Sequence, residues 1–185
     1  MRVLQGPNSV RRFRRSVQIL LLAAMVLPGQ VHAQDLADKL RAAFLYNFAK
    51  FVTWPASRLN TAEQSIRLCV LGDASFAGLL SATVGGKTAG SHPLEVVDAQ
   101  QPEQLSGCHI AYFPDLSEDR QSIMAQQQAQ QVLTVHQESA VNAAGVVRFY
   151  LEDRRIRLEI NNRAAEAADL KISAKLLALA RVVQG

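Results

Sequence analysis

The chain has 185 residues, with 20 Lys and Arg against 16 Asp and Glu and a formal net charge of +4. Five of the basic residues (Arg2, Arg11, Arg12, Arg14, Arg15) and no acidic one fall in residues 1–33, so residues 34–185 keep 15 basic against 16 acidic, a net charge of −1. That balance leaves no electrostatic case for nucleic-acid binding, which needs a clustered positive surface to neutralise phosphates, and no nucleic-acid partner is expected.

Residues 1–33 read as a secretory signal. Arg11, Arg12, Arg14 and Arg15 form a positive n-region, residues 17–27 are an apolar run too short for an ordinary membrane span, and Val31-His32-Ala33 offers a small-residue cleavage site. An uncleaved anchor is the alternative. The Arg pairs lack the rest of a twin-arginine pattern, and no cysteine follows the run to carry a lipid. The mature chain is therefore expected to begin at Gln34 and to occupy the periplasm as one domain, 34–185.

The strongest predicted helix covers 36–54, where Leu36, Leu40, Ala43, Phe44, Phe48, Phe51 and Val52 recur at helical spacing until Pro55 stops it. A strand over 66–71 ends at Gly72, and Asp73 caps a helix over Phe76, Leu79 and Leu80. Gly85-Gly86 turns the chain into a strand at 94–97. A third strand, 109–113, stops at Pro114, and Asp115 or Ser117 caps a helix reaching about Gln130. A fourth strand follows at 132–135. Residues 146–151 and 156–160 alternate with period two and form a hairpin across 152–155. Asn161 or Asn162 caps a short helix. A last amphipathic helix is predicted over 173–183 with Leu176, Leu177, Leu179, Ala180 and Val183 inward. Strands alternating with helices predict a single three-layer α/β domain, with a mostly parallel sheet, helices on both faces and a C-terminal antiparallel hairpin.

Few residues carry chemistry. Gly86-Lys87-Thr88 mimics the tail of a phosphate-binding loop, but the required upstream glycine is Ser81 and the context runs helix to strand. His92, His109 and His136 have no metal spacing with one another or with a cysteine, so no metal site is expected. Glu152-Asp153 reads as a hairpin tip. No nucleophile and base stand out as a pair, so no catalytic residue, enzyme activity or cofactor is expected. Cys69 and Cys108 are an even pair in an oxidising compartment, where thiols tend to bond; two free core thiols or a metal site are the alternatives. A bridge would close a loop of roughly 40 residues, worth about 4 kcal/mol.

Two segments are candidate sites. Gly72, Asp73 and Ser75 follow the first strand at its carboxyl end and open a helix, a position that lines ligand crevices in open sheets; ordinary capping by Asp73 is the plain alternative. Arg148, Arg155, Arg157, Arg163, Lys171 and Lys175 enrich the C-terminal third in positive charge. Arg157 and Glu159 share one strand face and, with Asn161, Ser173 and Lys175, are the candidate partner-binding residues. A solvated strand face is the alternative for the first two, and helix capping for Asn161 and Ser173.

The run from Ala42 through Phe44, Tyr46, Asn47 and Phe48 to Trp54-Pro55 resembles the opening signature of the YfiR family. Leu68-Cys69-Val70-Leu71-Gly72-Asp73, Phe76, Gly86-Lys87, Cys108-His109-Ile110, Val132-Leu133-Thr134-Val135, Gly145, Arg157-Leu158-Glu159-Ile160-Asn161 and Lys171-Ile172-Ser173-Ala174-Lys175-Leu176-Leu177 follow in order. The resemblance covers nearly all of 34–185. It implies a periplasmic α/β protein without catalysis that represses a membrane diguanylate cyclase (YfiN-like) through that enzyme's periplasmic domain. It also implies sequestration by an outer-membrane lipoprotein (YfiB-like), control of cyclic di-GMP output and biofilm formation, and a Cys69–Cys108 disulfide. The second cysteine pair that some members carry near the hairpin is missing here. A homodimer is a further candidate assembly. The competing function is a periplasmic small-ligand sensor that controls another membrane signalling protein.

Overall fold

The computed structural model describes residues 29–137 and 145–183, with side chains from residue 34 onward. The chain divides into a unit Met1–Asp35, of which only the helical residues 29–35 are described, and a unit Leu36–Gly185 that holds the fold. The expected signal residues 1–28 lie outside the described residues.

Among the described residues the elements run in the order α1 (Gly29–Phe51), β1 (Val52–Thr53), β2 (Ile66–Leu71), α2 (Ala74–Val84), β3 (Thr88–Ala89), β4 (His92–Ala99), a 3-10 turn (Pro102–Leu105), β5 (Ile110–Phe113), α3 (Glu118–Ala129), β6 (Leu133–Gln137), β7 (Val147–Glu152), β8 (Arg155–Asn161), α4 (Asn162–Ala167), β9 (Lys171–Ile172), α5 (Ala174–Leu177) and β10 (Arg181–Val183). Eight strands form one sheet in the order β10-β8-β7-β6-β5-β2-β4-β3, and β1 pairs with β9 in a second, two-stranded sheet. The central strands β4, β2, β5, β6 and β7 are parallel, β8 runs antiparallel to β7, and β10 runs parallel to β8.

Each face of the sheet has its own core. One face packs Leu68, Val70, Ile110, Tyr112, Leu133, Val135, Val147, Phe149, Leu158 and Ile160 against Leu45 and Phe48 of α1 and Phe76 and Leu80 of α2. The other packs Cys69, Leu71, Ala111 and Phe113 against Met124 of α3 and Leu105 of the 3-10 turn. Central strands covered twice must be apolar on both faces, and β2 and β5 are mostly apolar runs rather than alternating ones. Phe149 is the aromatic centre of the larger core, with ring centroids 5.9, 6.1 and 6.2 Å from Phe44, Phe48 and Tyr112.

The expected α/β fold is present, with corrections at its ends. The first helix begins at Gly29 rather than 36 and stops at Phe51 rather than 54. Val52 and Thr53 turn extended because they pair with Ile172 and Lys171. The predicted helix over 173–183 is overturned. Only Ala174–Leu177 is helical, after which Arg181–Val183 join the open edge of β8 as a strand. Leu176 is buried as expected, but Leu179 is 66% exposed. A sheet edge supplies backbone partners that a local periodicity cannot register, and Val182-Val183 suit a strand.

Candidate functional site

The C-terminal hairpin turns through Asp153 and Arg154, whose φ values of 50° and 60° match a two-residue loop with both central residues left-handed. Alternation along β7 and β8 then sends Phe149, Leu158 and Ile160 into the core and Arg148, Tyr150, Glu152, Arg155, Arg157, Glu159 and Asn161 to the opposite face. α3 packs chiefly on β5 and β6, and at the hairpin end of this face Arg155 and Arg157 are exposed.

Cross-strand register orders the polar face. His136, Arg148, Glu159 and Arg181 are successive partners across β6, β7, β8 and β10. Glu159 Oε1 accepts from Arg148 Nε at 3.0 Å and lies 2.9 Å from its Nη2, while Arg181 Nε lies 3.7 Å from Glu159 Oε2. Arg148 also stacks 5.3 Å over the Tyr150 ring. Arg157 pairs with Glu152 at 3.3 Å, and both side chains are about half exposed, at 47% and 53%. Such a pair contributes about 0–1 kcal/mol to stability.

The five candidate partner residues therefore separate. Arg157 and Glu159 do share a face, but Glu159 is largely buried between two arginines and only Arg157 is presented outward. Asn161 Oδ1 caps α4 by accepting from Ala164 N at 2.9 Å. Ser173 caps α5, and its N–H donates to the Phe51 carbonyl at 2.9 Å, so it is tied beside the two-stranded sheet with Lys175 exposed two residues on. Arg148 and Arg181 complete the face. Neither stood out in the sequence, Arg148 because it was one basic residue among many and Arg181 because a helix was expected there.

The second candidate, Gly72, Asp73 and Ser75, is locally occupied. Gly72 has φ +79° and hydrogen-bonds Ala99 O. Arg120 of α3 fills the space beside it, donating to Leu71 O at 3.2 Å and pairing with Asp115 at 2.9 Å. Asp73 Oδ1 accepts from Phe76 N at 2.9 Å as a helix cap, and Ser75 is exposed. A cleft of about 210 Å³ instead opens at the carboxyl ends of β5, β6 and β7, lined by Arg41, Pro114, Gln137, Phe149, Tyr150, Leu151 and Ile156. The Arg41 side chain is 9% exposed and bonds Asp38 at 2.6 Å, and it faces the Gln137 side-chain amide, whose oxygen accepts from it at 2.9–3.2 Å in the amide orientation that satisfies both groups. Arg41 sat within the helix's apolar pattern and gave no signal of its own.

Cys69 and Cys108 are disulfide-bonded, with Cα atoms 6.1 Å apart, and staple the adjoining strands β2 and β5. His109, next to Cys108, accepts from Arg67 N through Nδ1 at 3.1 Å and reaches the Arg58 carbonyl through Nε2 at 3.1 Å. Arg58 in turn donates to the Cys108 carbonyl. Burial holds His109 below its ordinary pKa, and burial does the same to His136. The described residues hold no group of three His, Cys, Asp or Glu suited to a metal, and no described helix is long and apolar enough to cross a membrane.

The fold is a mostly parallel α/β sheet, stapled by a disulfide and carrying one polar strand face. Residues 38–181 match the YfiR/HmsC-like family, and the chain belongs to that family of periplasmic regulators of cyclic di-GMP signalling. No curated protein matches the chain at a significant level.

Proposed function

We propose that this chain is a periplasmic signalling regulator that binds and represses an inner-membrane diguanylate cyclase (YfiN-like), lowering cyclic di-GMP output. Family membership supports the signalling role. The single observation that supports contact through the hairpin is Arg157, a guanidinium about half exposed on the polar strand face. An outer-membrane lipoprotein (YfiB-like) that competes for the regulator belongs to the same reading, as does export through the 1–33 leader. The test is cellular cyclic di-GMP with and without the gene, together with capture of the cyclase from solubilised membranes. Arg157→Glu is expected to keep stability within about 0.5 kcal/mol and to lose about 2–5 kcal/mol of partner affinity, because a paired carboxylate is left buried. Unchanged cyclic di-GMP on deletion overturns the cyclase reading; unchanged capture by Arg157→Glu removes Arg157 from the site.

The cleft floored by Arg41 favours a second reading, a sensor for a small ligand. It sits at the carboxyl ends of parallel strands, where open α/β sheets take ligands. Retention of a small anionic molecule by the purified protein, lost in Arg41→Met, is the outcome that supports it.

A further inference from the structure

The outer face of β7, β8 and β10 carries more chemistry than one arginine. Its side-chain positions are Arg148, Tyr150 and Glu152 on β7, Arg155, Arg157, Glu159 and Asn161 on β8, and Arg181 and Val183 on β10. Four are arginine and two are glutamate, so the face is positive on a chain whose residues 34–185 are net negative. Each glutamate is already engaged, Glu152 by Arg157 and Glu159 by Arg148 and Arg181. Arg155 is exposed and forms no ion pair among the described residues. The surplus is two positive charges in guanidinium form, whose planar fork binds carboxylates in pairs.

We propose that this sheet face docks an acidic protein segment, with Arg155, Arg157 and Arg181 as the carboxylate-binding groups and Tyr150 as the flat anchor among them. The proposal rests on the partner-docking reading above and names the chemistry of the partner. Arg155 and Arg157 stand at alternate positions of one strand, about 7 Å apart, and Arg181, across from Glu159 on the neighbouring strand, lies about 8 Å from Arg157 on the diagonal. Carboxylates at alternate positions of an extended segment match that spacing. Arginine and tyrosine are also the side chains that dominate binding at protein interfaces.

Two features favour a protein over an anionic lipid surface or a nucleic acid. Glu152 and Glu159 interrupt the arginines and would be repelled by a uniformly negative surface, whereas a protein can meet the mixed pattern with acidic groups at the arginines and neutral ones between. The face also has no Trp, Phe or Leu to enter a bilayer and no Lys.

The test places a photocrosslinker on the face of the full chain in cells, as Tyr150→p-benzoylphenylalanine, with the same probe at Lys87 on the far edge of the sheet as control. The expected result is a protein crosslink at Tyr150, absent at Lys87, whose captured peptide carries Asp or Glu within a few residues. Adding Arg155→Glu and Arg181→Glu is expected to reduce that crosslink at least ten-fold, and Arg155→Glu alone, which breaks no ion pair among the described residues, is expected to reduce it without moving the thermal midpoint. Crosslinks to lipid, to nucleic acid or to neutral or basic peptides overturn the proposal, as does an undiminished crosslink in the charge-reversed chain. An acidic partner that is not a cyclase upholds the face and sinks the cyclase reading. Cyclic di-GMP repression that survives both reversals does the opposite.

Discussion

Glu159→Gln separates a structural carboxylate from a partner-binding one. Glu159 and Arg148 side chains are each 14% exposed, and two Arg148 nitrogens lie 2.9 and 3.0 Å from one carboxylate oxygen. Removing one partner of a fully buried pair costs about 3–5 kcal/mol, because the other charge is left without compensation. The residual exposure and the solvated side of the face reduce that to about 2–3 kcal/mol. Arg181, 66% exposed and 3.7 Å away, restores little of it, and the Tyr150 ring beneath Arg148 is a weak cation–π partner. The corresponding loss of midpoint for a domain of this size is roughly 4–12 °C. Replacing both residues, Arg148→Met with Glu159→Gln, removes the orphaned charge and is expected to recover most of the loss, giving a coupling of about 2–3 kcal/mol in a double-mutant cycle. Urea unfolding followed by far-UV circular dichroism, with stability taken from the midpoint and slope, measures each corner. A Glu159→Gln loss under about 0.5 kcal/mol refutes the reasoning, since that is the behaviour of an exposed pair.

Phe149→Ala empties the centre of the larger core, where Phe44, Phe48 and Tyr112 meet one ring, and is expected to cost about 3–5 kcal/mol; Phe149→Leu should cost under about 1.5 kcal/mol, and equal losses would show that the site collapses rather than leaving a cavity. Reducing Cys69–Cys108, which spans 39 residues of sequence, is expected to lower stability by about 4 kcal/mol, and thiol labelling of unreduced, denatured protein should find almost none. His109 and His136 have folded pKa values below 6.5, so the unfolded chain binds more protons as the pH falls under that value. The stability from keeping them neutral is therefore whole above about pH 6.5 and lost progressively below it. Protonation of His109 would also set an Nδ1–H against the Arg67 N–H that it now accepts from. Thermal midpoints between about pH 7.5 and 5.5 should fall for the native chain and flatten in His109→Gln/His136→Gln; equal slopes would exclude the histidines.

Most of the sheet's interior was legible from local pattern. Residues 66–71 and 110–113 are short apolar runs bounded by turn residues, and burial on both faces demands that composition wherever the strand sits. Asp73 and Ser117 cap their helices because capping needs only the next three backbone amides. The hairpin followed from period-two alternation for the same local reason. The edges followed another logic. Val52–Thr53 and Lys171–Ile172 become strands only by meeting each other, and Arg181–Val183 only by meeting β8, so periodicity within either segment had nothing to report. The site divided along the same line. Charge at Arg157 and Glu159 and their shared face were readable from the sequence, but register across four strands decided that Glu159 would be spent on Arg148 and Arg181. Arg157, at the hairpin end of β8 and paired with the exposed Glu152, keeps a half-exposed side chain. Composition and spacing set which groups a strand can present; which of them remain available to a partner depends on neighbours brought from far along the chain, and that is a property of the tertiary structure alone.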